Sequence, residues 1–331
     1  EYWNGNGFLK LRYSRTKRLM ISRVDTSVGT VAFSPLAVIT GSVTGPFNLA
    51  VGDLITATTN TGGPASSTAL TAAAASVAGS VFATTGFVGG ETISITIDNN
   101  AAINVVFTAA DQTAAQVAAR INLVLGFTSA TAAGDAVTIA GLIQGTSGRV
   151  ILANVTTGTL ALFGHAAGTT AGTGSVGNID AVTATEVAAI GNASAALTSI
   201  NVAMRATSDG RVVVYCSSAG TGTINITSTS MATILGLTTG STVKAGQHDG
   251  GLIPAGTRVR TSGGLEWVTM QTLTIAAGSN ASPNVGPHVV KVRPGLDDGS
   301  VAGASASAVS VVVDQPSFAE MKVSNPSALS A

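Results

Sequence analysis

The residues Gly172–Gly177, GTGSVG, have the G-x-G-x-x-G spacing with which a backbone can cradle a pyrophosphate. That chemistry needs a strand directly before the glycines, a helix directly after, and an acid about 20 residues on. Here the strand candidate ends at Gly164, NIDAV follows in place of a helix, and position 197 is Leu. In a chain with 40 glycines the run reads as a linker. Ser241 and Lys244 in STVK match S-x-x-K, which works when a helix N-terminus presents the Ser. They sit in a glycine-flanked loop and the partner motifs are missing. His165, His248 and His288 stand apart in sequence, with only Asp249 beside His248. A metal needs three or four ligands in fixed geometry, so these histidines read as surface turns. Asp297 and Asp298 lack the EF-hand spacing and read as a polar turn. Cys216 is the only cysteine, which excludes an intrachain disulfide, and RVVVYC reads as a strand that buries it. Asn154, Asn192, Asn225 and Asn280 head N-x-S/T triplets, as chance provides where Ser and Thr abound. The expectation is no catalytic, cofactor-binding or metal site, no cofactor, and no enzyme.

Composition points the same way. Net charge is zero and charged residues are 10% of 331, against about 25% in an average globular chain. No global field draws the molecule to nucleic acid. Positive mean hydropathy argues against disorder. Small and β-branched residues with many glycines predict short strands joined by tight turns. A surface this poor in charge tends to stick to itself, which favours an assembly protein. The uncharged stretch from Leu54 to Gly90 is broken by Thr, Ser, Gly and Pro, so no membrane insertion is expected. Arg23 and Asp25 interrupt any signal-peptide pattern.

Two stretches look alike. TAADQTAAQVAARIN (108–122) and TATEVAAIGNASAALTSIN (183–201) both open on Thr-x-x-acid, and Thr108/Asp111 and Thr183/Glu186 predict capping boxes. Val117, Ile121 and Val124 fall at helical spacing, as do Val187, Ile190, Leu197 and Ile200, with Ala193 between. A turn and strand follow each: AGDAVTIA (133–140) aligns with SDGRVVVY (208–215), 75 residues on, and Gly145–Thr146 and Gly220–Thr221 keep that spacing. Then come RVILAN and TINITST, and the closing turns LALFG and ATILG. ETISITI (91–97) and INVVF (103–107) predict a hairpin ahead of the first helix, with NIDAV (178–182) a weaker counterpart. GPFNLAVGDLITATT (45–59) reads as another hairpin start. From Gly251 the pattern is β only, with strands in GTRVRT, LEWVTMQTLTIAA, HVVKVRPG and AVSVVVDQ.

The first 23 residues hold six of the sixteen basic residues, and none occurs from Val24 to Ala119. These charges alternate with Phe8, Leu9, Leu11, Tyr13, Leu19, Met20 and Ile21. The expectation is an amphipathic helix or turn followed by the strand KRLMISRV, with no nucleic-acid arm.

EYWNGNGFLKLRYSRTKRLMISRVDTS (1–27) resembles a segment of contractile phage tail sheath proteins, and residues 290–331 resemble phage tail protein. IPAGTRVRTSGGLEWVTMQTLTIAAG (253–278) is similar to the β-domain of baseplate J-type wedge proteins. The repeated stretches resemble domains inserted in tail sheaths, and AARIN (118–122) also resembles modules of flagellar hook-associated proteins. The fold class expected is α+β, β-rich and multi-domain, with repeated small β-β-α-β-β modules plus a β-only domain. The divisions are 1–40 as the edge of a sheath-like core domain, 41–168 and 169–250 as inserted modules, 251–315 as the β-domain, and 316–331 as a return toward the core. The start at Glu1 and the end in NPSALSA suggest a piece of a longer protein. The resemblance implies a virion structural subunit of the tail, assembled in the host cytoplasm. It would surround the tail tube and contract to drive it through the host envelope. Its partners would be copies of itself in a helical or ring homo-oligomer, tube and baseplate proteins, and the host surface through the inserted modules. The alternatives are a baseplate wedge or tail adhesin, or a flagellar or surface filament-associated protein.

Overall fold

The computed structural model describes residues 2–3, 8–13, 19–23, 28–29, 32–218, 222–245, 251–262, 266–277, 289–291, 309–313 and 321–324. The chain is β-rich and of α+β class, with several antiparallel sheets. Among the described residues, the buried apolar side chains fall into three separate clusters. Chain order does not follow these clusters, because one unit interrupts another.

The inner unit spans 72–174. One sheet runs in the order Ile103–Val106, Thr92–Ile97, Arg149–Asn154, Gly168–Ala171. The other runs Ala130–Ala133, Ala136–Gln144, Ala72–Ala78, Thr173–Gly174. Alternation in TISITI puts Ile93, Ile95 and Ile97 in the core, where they meet Phe107, Ile121, Ile139 and Phe163. Helix α1 (Ala114–Leu125) covers this core with Val117, Ala118 and Ile121.

The outer unit is built from both sides of that insertion, 37–71 and 175–245. One sheet runs Val243–Lys244, Thr223–Ile226, Thr56–Thr59, Gly62–Ser66, and the other runs Val202–Ala206, Val212–Cys216, Ala37–Thr40. Helices α2 (Ala184–Ala193), α3 (Ala195–Ser199) and α4 (Ser230–Ile234) complete it. Its core gathers Ile39, Phe47 and Ile55 with Val187, Val214, Ile226 and Leu235.

Apart from the short strand Thr173–Gly174, the two units share one strand order. In the inner unit Ile139 pairs with Val77 and Ile95 with Leu152. In the outer unit Val214 pairs with Ile39 and Ala57 with Ile226. Gly-Ser-Val follows directly on both first strands, Ala37–Thr40 and Ala72–Ala78. Gly79 N–H donates to Val137 O, and Gly41 N–H donates to Val212 O, each at 2.8 Å. Ser80 N–H then donates to Gly164 O, and Ser42 N–H to Gly236 O. A Cβ on Gly41 would collide with Leu235 O, and one on Gly79 would press on Phe163 O and the His165 ring. Both glycines are there because two chain segments approach closely.

The third cluster joins the far ends of the described chain. Ala32–Pro35 pairs with Met321–Ser324, and Val28–Gly29 pairs with Val289–Lys291. The latter sits in a five-stranded sheet with Val309–Val312, Arg258–Thr261 and Glu266–Thr269. Phe33, Val259, Trp267, Val312 and Val323 pack together in this core.

Several local expectations change. Phe8–Tyr13 is a strand paired with Leu19–Arg23, not a helix or turn. Leu9, Leu11 and Tyr13 alternating with Lys10 and Arg12 is the two-residue period that favours it. The first helix is capped by Thr113 with Gln116, not by Thr108 with Asp111. Asp111 Oδ2 instead accepts from Thr108 N at 2.7 Å in the preceding turn. Val124 is on the exposed side of α1. The second helical stretch breaks at Ser194, which ends α2 and caps α3. LEWVTMQTLTIAA folds as two strands, Glu266–Thr269 and Leu273–Ile275. NIDAV is a 3-10 turn, Ile179–Ala181, and the hairpin ahead of α2 lies upstream at 56–66. The packing also cuts across the expected division at 168/169, because 37–71 buries its apolar side chains with 176–237.

Candidate functional site

The glycine-rich run is the crossing from the inner unit back to the outer one. Thr173–Gly174 pairs with Ala72–Ala73, and a Cβ on Gly172 would collide with Gly145 O. The two points of passage are bonded to each other: Ser175 N–H donates to Thr71 O at 2.8 Å, and Thr71 N–H to Ser175 Oγ at 3.0 Å. Thr146 N–H donates to Val176 O and Ser147 N–H to Gly177 O, both at 2.9 Å. These glycines serve close chain packing, and no helix begins directly behind them.

Glu186 fixes the next step of the chain. The Thr183–Glu186 box forms as the sequence indicates: Thr183 Oγ1 accepts from Glu186 N, and Glu186 Oε2 accepts from Thr183 N at 2.8 Å. The other oxygen, Oε1, accepts from Gly177 N at 2.7 Å. Burial pushes the carboxyl pKa up, but the bonds from Thr183 and Gly177 outweigh it and hold the group below its usual value. One carboxylate thus ties a helix start to the crossing between units.

An open cleft of about 550 Å³ lies beside the start of α2, lined by Pro46, Thr183, Thr185, Thr207 and Ser208 among others. Its hydroxyls are already occupied in part. Thr183 Oγ1 donates to Glu186, and Thr207 Oγ1 bonds both Asp209 and Arg211 O. Arg211 Nε lies 2.8 Å from Asp209 Oδ2 on the exposed rim. The cleft brings small side chains together and no acid–base pair.

The other sequence candidates scatter. Ser241 is exposed in the loop before Val243–Lys244. Cys216 is fully buried in its strand. His165 is buried, not on a surface turn: its Nε2 lies 3.1 Å from Val137 O and its ring packs at 4.9 Å from Phe163. His248, Asp249, His288, Asp297, Asp298, Asn280 and Gly220–Thr221 lie outside the described residues. Asn192 turns out to be structural. Its side chain donates to Met204 O and accepts from Met204 N, both at 2.8 Å, so it clamps α2 to the edge strand. Asn122 does the same for α1 with Ala130. Sequence reading passed over this pair, although Asn stands nine residues after the capping Thr in both helices. Among the described residues no group of three His, Cys, Asp or Glu could hold a metal, and no helix is long and apolar enough to cross a membrane.

What the inner unit presents most distinctly is surface. Residues 72–174 carry six charged side chains: Glu91, Asp98, Asp111, Arg120, Asp135 and Arg149. Most are turned to internal use. Asp111 pairs with Arg120 at 3.2 Å, Asp98 accepts from the amides of Leu142, Ile143 and Arg149, and Glu91 accepts from Val88 and Gly89. Val81, Val88, Leu123 and Leu142 are exposed meanwhile. Such a surface offers little charge repulsion to a close neighbour. Compared with family profiles, characterised proteins and solved structures, the chain shows no significant match.

Proposed function

We propose that the chain is a structural subunit of a contractile phage tail sheath, with the inner and outer units as two copies of one β-β-α-β-β module inserted into a terminal β-unit. The observation that carries this reading is the meeting of the chain's distant ends. Ala32–Pro35 pairs with Met321–Ser324 and Val28–Gly29 with Val289–Lys291, so segments next to or within the two sheath- and tail-like stretches pack in one unit. Everything from 37 to 245 is then an excursion from that unit. The charge-poor exposed surface of the inner module supports close packing against copies of the same chain or contact with a host surface. Tube and baseplate proteins complete the partner set, and no enzyme chemistry is assigned. The likeness of 253–278 to baseplate J-type β-domains keeps a wedge protein or tail adhesin as the second reading, and a surface filament-associated protein as the third.

Sedimentation and negative-stain electron microscopy of the concentrated protein test this. Tubes or stacked rings are the expected products. Monodisperse particles at high concentration argue for the adhesin reading, which a glycan array then examines.

A further inference from the structure

The paired units provide an internal control for one buried group. His165 follows Gly164 at the end of the Leu160–Phe163 turn, and its N–H donates to Leu160 O at 2.9 Å. In the outer unit Leu237 follows Gly236, and its N–H donates to Ala232 O at 2.9 Å. Both side chains are buried, at 6% and 5% exposure. The two positions are therefore structurally equivalent. One copy fills the place with a hydrocarbon, so the fold itself does not require an imidazole there.

The imidazole of the neutral ring is held in one tautomer. Nε2 donates to Val137 O at 3.1 Å, which leaves Nδ1 as the bare acceptor of the neutral ring. Nδ1 is buried and has no hydrogen-bond partner. The ring meets the Phe163 turn, the Val137 strand and Gly79, where a Cβ would come within 2.6 Å of Nε2. Phe163, Val137 and Gly79 carry no charge. The titratable group nearest to them along these segments is Asp135, two residues before Val137 and exposed in the Gly134 turn. A proton on Nδ1 would thus place a charged donor among an aromatic ring, a valine strand and a glycine backbone.

We propose that His165 is an acid-sensitive latch that lets the inner unit open in mild acid while the outer unit stays closed. Burial lowers the imidazole pKa, and the Val137 bond opposes this only in part. The unfolded ring therefore binds its proton more readily than the folded one. The stability due to the neutral ring is present above about pH 6.5 and declines as pH falls below it, until the folded value is passed. The latch acts on the corner where Gly79, Ser80 and Gly164 hold the two sheets together.

Hydrogen exchange read by mass spectrometry on the whole protein tests the latch, from about pH 7.5 to about pH 5, corrected for intrinsic rates. Peptides from 72–174 are expected to lose protection by up to about tenfold per pH unit below about 6.5, while peptides from 175–245 hold theirs. His165→Leu copies the outer unit and is expected to abolish that difference. His165→Gln retains a donor for Val137 O without titrating and is expected to do the same, which keeps the test open should the leucine variant misfold. Equal loss in both units, no loss in 72–174, or an acid response that survives in the variants would overturn the proposal.

Discussion

At the scale of single residues, polar side chains that bond to backbone carry the local structure. Asp98 stands at φ 53° and accepts from three amides, two of them in the irregular stretch between Ala140 and Gln144. Asp98→Ala would orphan those amides and is expected to cost about 2–4 kcal/mol in denaturant unfolding of the inner unit. Asn122 and Asn192 each bond both polar groups of one strand residue, so Asn192→Ala is expected to cost about 1–3 kcal/mol, seen as a lower Tm. Glu186 titrates with the opposite sign to His165. Its folded pKa is depressed, so its stabilisation is present above the usual carboxylate range and is lost as pH falls through the folded value. Glu186→Gln should flatten that acid limb when Tm is followed between about pH 6 and about pH 3. Thr183 and Glu186 were legible in sequence because nothing nearby competes with them. Thr108 and Asp111 met the same pattern five residues before the true cap at Thr113, and only the structure shows that they close a turn. His165 was not legible, since burial depends on strands that are distant in sequence.

At the scale of elements, the recurring order of strands explains both what the sequence revealed and what it hid. The halves that follow the hairpins lie in order, one after the other, and TAAQVAARIN against TATEVAAIGN shows them. The earlier halves are displaced, because the inner unit enters the outer one between its hairpin and α2. ITGSV (39–43) against VAGSV (77–81) was the available signal, at a spacing unlike that of the later halves. Each unit has its own core, and Thr71 and Ser175 are bonded to each other at the crossing. Removing 72–174 and joining Thr71 to Ser175 is therefore expected to leave a folded protein that has lost one unfolding transition. Calorimetry checks this: persistence of the outer unit's transition agrees with two separate cores, and its loss contradicts them.

At the scale of the whole molecule, the chain leaves a terminal β-unit near residue 36 and returns to it near 251, with two nested units between. The pairing of the strands near 28–35 with those near 289–324 leaves no local periodicity in the sequence, and only the resemblance of both stretches to tail proteins pointed to a shared unit. The proposed sheath role places the terminal unit next to the tube and the nested units outward, where their low charge meets neighbouring copies. Cryo-electron microscopy of the assembled protein tests that arrangement most directly. The account predicts hollow helical tubes or stacked rings with residues 28–35 and 251–324 toward the lumen and 72–174 on the outer face. Particles that never assemble, or tubes lined by residues 72–174, would contradict it.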